Sequence, residues 1–156
     1  MRFFPVLCFT LLGACFLTLS QHSAPAPTLT PNSPFASYGN VCWEDEKARL
    51  DNFAVALQNA PTVTGEIIVY AGRQSCPSEA KYRGNRARSW ILKRGLDPKR
   101  VVVIDAGFQR EVYTYLIIRP KGSDPYDVPG SLSKKEVSIK RCVDKVFARV
   151  VCLDAR

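Results

Sequence analysis

The spacing of apolar residues from position 35 onward alternates between two periods, and that alternation predicts the order of elements. Leu50, Phe53, Ala54 and Leu57 fall at i, i+3, i+4 and i+7, which puts four apolar side chains on one helical face. Glu44, Asp45 and Glu46 lead into this run, where the positive end of a helix dipole favours carboxylates, and Pro61 ends it. Gly65 introduces Ile67-Ile68-Val69-Tyr70, an unbroken apolar run of the kind found in strands covered on both sides. The loop Ala71–Cys76 then precedes a second helix. Pro77 suits a first helical turn, Ser75 lies near the cap and Glu79 sits in that turn. Ala80, Gly84, Ala87 and Ile91 share the inner face with Trp90 beside them, and Gly95 stops the helix. Leu96 to Arg100 makes a tight connection to the strand Val101–Ile104, Gly107 turns the chain, and Val112–Ile118 is the last core strand. With an edge strand between Phe35 and Cys42, the order is β-α-β-α-β-β, which predicts a two-layer α/β sandwich.

The flanks follow other rules. Phe3 to Leu19 holds no charged residue, follows the single basic Arg2 and gives way to small and polar residues. Those are the three parts of a secretory signal. Pro5 interrupts the stretch, which is just under the ~20 residues of a bilayer span, so cleavage is expected rather than anchoring. Leu12-Gly13-Ala14-Cys15 resembles the lipobox of bacterial lipoproteins, in which Cys15 would carry the lipid. Phe16, Leu17 and Leu19 beyond it favour ordinary cleavage near Ser23-Ala24 or Ala26. The expected organisation is a leader over 1–20, a Pro/Ser/Thr/Ala linker over 21–34, a folded domain over 35–122 and a basic extension over 123–156. Val137–Ile139 and Val146–Leu153 read as a β hairpin in that extension. The expected address is the periplasm or the outer membrane.

Charge and cysteines narrow the class of partner. The formal charge is +8, and removing Arg2 with the leader leaves 8 − 1 = +7. A basic exported protein meets anionic wall polymers and acidic lipids, which makes nucleic acid a poor partner. Contact with a membrane is expected only through the possible lipid anchor. Beyond Cys15 lie Cys42, Cys76, Cys142 and Cys152, an even count that reads as two disulfides with three possible pairings in an oxidising compartment. A local bridge between Cys142 and Cys152 would leave Cys42 with Cys76. The single histidine, His22, and the lack of C-x-x-C pairs argue against zinc and against a histidine-activated nucleophile. Asp105 and Glu111 flank a turn, as solvated carboxylates commonly do. No enzyme activity and no cofactor are expected.

Four stretches together resemble the C-terminal domain of OmpA-like envelope proteins, from about Trp43 to Arg119. They are EKARLDNFAVALQNAP, IIVYAGRQS, RGNRARSWILKRGLDPKRV and YTYLIIRP. The most specific part is Arg94-Gly95-Leu96-Asp97-Pro98-Lys99-Arg100-Val101, which leads a helix into a strand. The resemblance implies non-covalent binding of peptidoglycan through the diaminopimelate of its stem peptide. In that clamp an Asp in the loop after the second strand pairs with the ammonium, and an Arg of the second helix takes the carboxylate. Arg83, seven residues ahead of Trp90, matches the arginine, with Arg86 as a neighbouring candidate. A guanidinium fork suits a carboxylate, and a helix N-terminus adds N–H donors. The loop departs from the family: it reads Ala71-Gly72-Arg73-Gln74-Ser75, with no acid, and the family's Asn falls on Cys76. Gln74 or Ser75 would offer neutral acceptors instead. The candidate ligand residues are Arg73, Gln74, Ser75, Arg83 and Arg86. Two functions are expected from this pattern. One is association with peptidoglycan or another anionic wall polymer through the second helix, where Lys81, Arg88, Lys93 and Arg94 add charge. The other is a structural or interaction protein that keeps the fold without the ligand.

Overall fold

The computed structural model describes residues 33–139 except Pro77. The expected leader, Cys15, most of the linker, Cys142, Cys152 and the strand at Val146–Leu153 lie outside the described residues. The elements are β1 (Ala36–Tyr38), α1 (Trp43–Asn59), β2 (Val63–Gly72), α2 (Glu79–Leu92), a 3-10 turn (Pro98–Arg100), β3 (Val101–Gln109) and β4 (Tyr113–Pro120). They make a mixed α/β fold with two helices and an open sheet in the order β1-β4-β2-β3. Strand β4 runs antiparallel to both β1 and β2, while β2 and β3, joined through α2, are parallel. Among the described residues no helix is long and apolar enough to cross a membrane.

Strand β2 organises the core because its alternate side chains serve two separate clusters. Val63, Ile67, Val69 and Ala71 pack with Leu50, Phe53, Ala54 and Leu57 of α1, and with Ala80, Ala87 and Ile91 of α2. Ile68 and Tyr70 face the other way and pack with Ile117, Tyr113 and Tyr115. The unbroken apolar run thus has both faces covered, as its composition predicts. The second cover is an irregular strap, residues 123–133, rather than a layer of helices. Tyr126 and Val128 of the strap pack on this face. The Tyr70 hydroxyl donates to the Pro129 carbonyl. Further along, the Leu132 amide donates to the Phe108 carbonyl at 2.7 Å, and Ser138 donates to Arg73 O at 2.8 Å.

Several expected boundaries move, each for a local reason. Ala71 and Gly72, expected in a loop, extend β2, because pairing with β3 resumes after an irregularity. Val69 opposes Asp105, and Ala71 then opposes Phe108. The surplus residue of β3 is absorbed around Gly107, whose φ of +89° suits a bulge. Gly107 therefore does not turn the chain, and the turn comes at Arg110-Glu111. A side chain at Gly107 would also collide with Ser131 of the strap. Helix α2 begins at Glu79 rather than at Pro77, with Ser78 at its N-cap. Ser75 is held outside the helix by a bond from its amide to Gly72 O at 2.9 Å. The expected edge strand at Phe35–Cys42 shortens to Ala36–Tyr38. Val137–Ile139 is irregular, not a strand: it is tied to Arg73 by the Ser138 bond and leaves Ile139 exposed.

The run Arg94–Val101 has a structural explanation. Asp97 caps the 3-10 turn by accepting from the Lys99 amide at 2.8 Å. The Arg100 guanidinium donates to the carbonyls of Leu57, Ala60 and Val63. It thereby ties carbonyls at the end of α1, which lack onward helical partners, to the first residue of β2.

Candidate functional site

The five expected ligand residues separate into two groups. Arg73 and Gln74 follow β2 and are exposed. Ser75 is buried, and its Oγ lies 2.9 Å from the position a Cβ on Gly72 would take. Its hydroxyl is therefore part of the packing of the turn. The Arg73 backbone joins this turn to two neighbours, donating to Arg110 O at 3.4 Å and accepting from the Ser138 amide. Only the Arg73 side chain projects outward.

Arg83 and Arg86 lie on α2 and both turn toward other parts of the chain. Arg83 Nε donates to Glu79 Oε1 at 2.9 Å, and its Nη2 donates to Asn40 Oδ1 at 2.9 Å. The Arg83 and Glu79 side chains are each only 11% exposed. Arg86 Nη2 donates to Glu46 Oε2, and the Arg86 guanidinium lies 4.3 Å over the Trp43 ring. Arg86 Nε is buried with no hydrogen-bond partner among the described residues. Glu46 is buried on α1 and also accepts from the Tyr38 hydroxyl at 3.4 Å. Burial raises the Glu46 carboxyl above its ordinary range, against the lowering charges of Arg86 and Arg83. Burial, followed by the nearby Glu46 charge, raises the Tyr38 phenol. Two guanidinium groups thus meet two carboxylates in a cluster with no net charge. Cys42, just before α1, and Cys76, in the turn before α2, are buried and disulfide-bonded.

The partners of the two arginines had unequal signals in the sequence. Glu79 and Arg83 are spaced i, i+4 on one helix, the spacing of a helical ion pair. Asn40 and Glu46 lie 43 and 40 residues from the arginines they meet, so no local pattern joins them. The other basic residues in and just after α2 divide in the same way. Arg88 donates to the carbonyls of Val101 and Pro98. Arg94 grips Asp51 with two bonds of 2.8 and 2.9 Å, and those bonds hold the Asp51 carboxyl below its ordinary range. Lys81 and Lys93 stay exposed, as does Arg73.

Two surface hollows lie nearby. A groove of about 360 Å³ runs between Trp43 of α1 and an outer stripe of α2 formed by Tyr82, Asn85, Ser89 and Lys93, with Arg86 and Trp90 also lining it. The two indole rings meet edge to face at 5.8 Å, and Trp90 Nε1 donates to Asp51 at 2.8 Å. A second cleft of about 470 Å³ lies where the strap passes the β3–β4 turn, between Gln109, Arg110, Glu111, Tyr113, Gly130 and Leu132. Asp105, on β3, is exposed and accepts from the Gly107 amide at 3.1 Å. Among the described residues no group of three or more His, Cys, Asp or Glu side chains is placed to hold a metal ion.

Set against protein-family models, curated proteins and solved structures, the chain matches none of them. The likeness to OmpA-like domains therefore rests on the sequence stretches quoted above.

Proposed function

We propose that this chain is an exported, non-catalytic domain of the cell envelope that keeps an OmpA-like arrangement without the stem-peptide clamp, and that it acts as a structural or interaction protein. The observation that carries this reading is the occupied fork of Arg83. Glu79 sits one helical turn away and already supplies the carboxylate that a stem peptide would bring. A competitor tethered on the same helix acts at high effective concentration, so an incoming carboxylate has to displace it. Asn40 holds the other arm of the fork. On the opposite side of the clamp, the loop offers Arg73, Gln74 and a buried Ser75, none of which attracts an ammonium as a carboxylate does. The disulfide-bonded Cys42 and Cys76 support an oxidising compartment.

A second reading is loose association with an anionic wall polymer, and the exposed side chains of Arg73, Lys81 and Lys93 favour it. Such attraction fades beyond a Debye length of about 8 Å at physiological salt. Sedimentation with purified peptidoglycan sacculi at low and physiological salt tests both. The expected result is no pelleting at physiological salt, with Arg83→Ala indistinguishable from the parent. Weak pelleting at low salt that disappears when Arg73, Lys81 and Lys93 are all changed to Ala would establish the second reading. A salt-resistant pellet abolished by Arg83→Ala would overturn the clampless proposal.

A further inference from the structure

Arg86 of the ion-pair cluster lines the groove between α1 and α2, but the outer stripe of α2 adds a chemistry that the cluster does not use. Tyr82, Asn85, Ser89 and Lys93 fall at i, i+3, i+7 and i+11, so one stripe of α2 and its C-cap presents a ring, an amide, a hydroxyl and an ammonium in succession. Tyr82 is 41% exposed, and Asn85, Ser89 and Lys93 are exposed as well. Trp43 forms the facing wall from α1. Lys47 and Arg94 lie over Trp90 at 5.4 and 4.6 Å from its ring centre, which holds that indole in place. Both cations are already paired, with Glu44 and Asp51, so the charge offered to a ligand is that of Lys93.

We propose that this groove binds a carboxylate-bearing sugar unit, such as a uronic acid residue of an acidic polysaccharide. A pyranose ring has an apolar C–H face that packs against an aromatic ring, here the exposed Tyr82, with Trp43, held by Arg86 and Trp90, as the facing wall. Its hydroxyls both donate and accept, and so do the Asn85 amide and the Ser89 hydroxyl. The Lys93 ammonium matches the carboxylate with a charge-assisted hydrogen bond. A volume of about 360 Å³ falls in the size range of small-ligand sites, so the hollow suits one or two sugar rings better than a protein surface. A neutral sugar would leave Lys93 without a counter-charge, and a simple anion would leave the rings bare. The inference goes beyond the proposed function, because it uses a different face of α2 and does not involve Arg83.

Intrinsic fluorescence reads this site directly, since both tryptophans of the chain line the groove. The full exported chain with its disulfides intact would be titrated with trigalacturonate, and with the neutral N-acetylglucosamine trimer for comparison. The expected result is a saturable change with trigalacturonate and a much weaker response to the neutral trimer. Lys93→Ala and Tyr82→Ala, both at exposed positions, should each weaken trigalacturonate binding about tenfold. Lys121→Ala, an exposed control away from the groove, should leave it unchanged. The proposal is overturned if trigalacturonate gives no saturable change, if the neutral trimer binds as tightly, or if Lys121→Ala weakens binding as much as Lys93→Ala does. An Arg83-dependent, salt-resistant sacculus pellet would overturn the proposed function and leave this inference standing, since Arg83 does not line the groove.

Discussion

Arg86 joins three parts of the molecule through one side chain. Its guanidinium neutralises the buried Glu46 of α1, and its plane covers Trp43 at the start of that helix. Glu46 in turn accepts from Tyr38 of β1. Removing one partner of a buried pair strands the other, which costs about 3–5 kcal/mol. Arg86→Ala should therefore lower the unfolding free energy by about that amount at neutral pH. The pH dependence has a definite sign. Burial raises the Glu46 carboxyl in the folded state, so the native chain binds this proton more readily than the unfolded chain does. The contribution of Glu46 to stability is greatest at pH values below its ordinary 4.5 and falls as pH rises through the raised folded value. Loss of Arg86 pushes that value further up. Urea unfolding should then show a smaller deficit for Arg86→Ala near about pH 5 than near about pH 8. An equal deficit at both would mean that Glu46 carries no buried charge.

Helix α2 approaches the sheet through Gly84, where an added Cβ would fall inside the envelope of Val103 on β3. Alanine there gains about 1 kcal/mol of helix propensity, yet overpacking costs about 1–3 kcal/mol. The overpacking wins because Val103 is β-branched and stands on a strand with little room to rotate. Gly84→Ala should lower Tm, and the double variant with Val103→Ala should recover part of the loss. Gly95, just past the same helix, gives a contrasting case. Nothing lies near its missing Cβ, but its φ is +84°. Gly95→Ala should cost about 1–2 kcal/mol through the backbone alone, and Val103→Ala should give it no relief. A thermal-melt comparison of the four variants separates close approach from backbone conformation.

For the molecule as a whole, the strap closes the fold. Without it, Ile68, Tyr70 and Ile117 would present an apolar sheet face to water, since both helices lie on the other side. Tyr126 also reaches the aromatic row, with its ring 6.2 Å from that of Tyr115. Changing Tyr126 and Val128 together to Ala should lower stability by about 2 kcal/mol and raise binding of a hydrophobic dye such as ANS. If midpoint and dye binding both stay at parental levels, the strap is not part of the folding unit. Because these two positions are separate from the cysteines, the test leaves the disulfides intact.

Local periodicity alone determined most of the elements. The i, i+3, i+4, i+7 face of α1, the inner face of α2 and the doubly covered run of β2 are all readable from spacing, because the side chains involved are neighbours in the chain. Tertiary structure decided the sheet order, the bulge at Gly107 and the cover supplied by the strap. Residues 123–130 announce only an irregular path, and nothing local says which surface they cross. The candidate site divides along the same line. The resemblance to OmpA-like domains singled out Arg83 and Arg86 as candidate forks for a ligand carboxylate. Only folding showed that the carboxylates are Glu79 and Glu46 of the chain itself, with Asn40 joining from 43 residues away. A charged side chain is neutralised by whichever group the fold brings near it, and sequence separation carries no record of that distance. The stripe Tyr82-Asn85-Ser89-Lys93 is regular in sequence, yet it becomes a groove only when Trp43 of α1 is set against it.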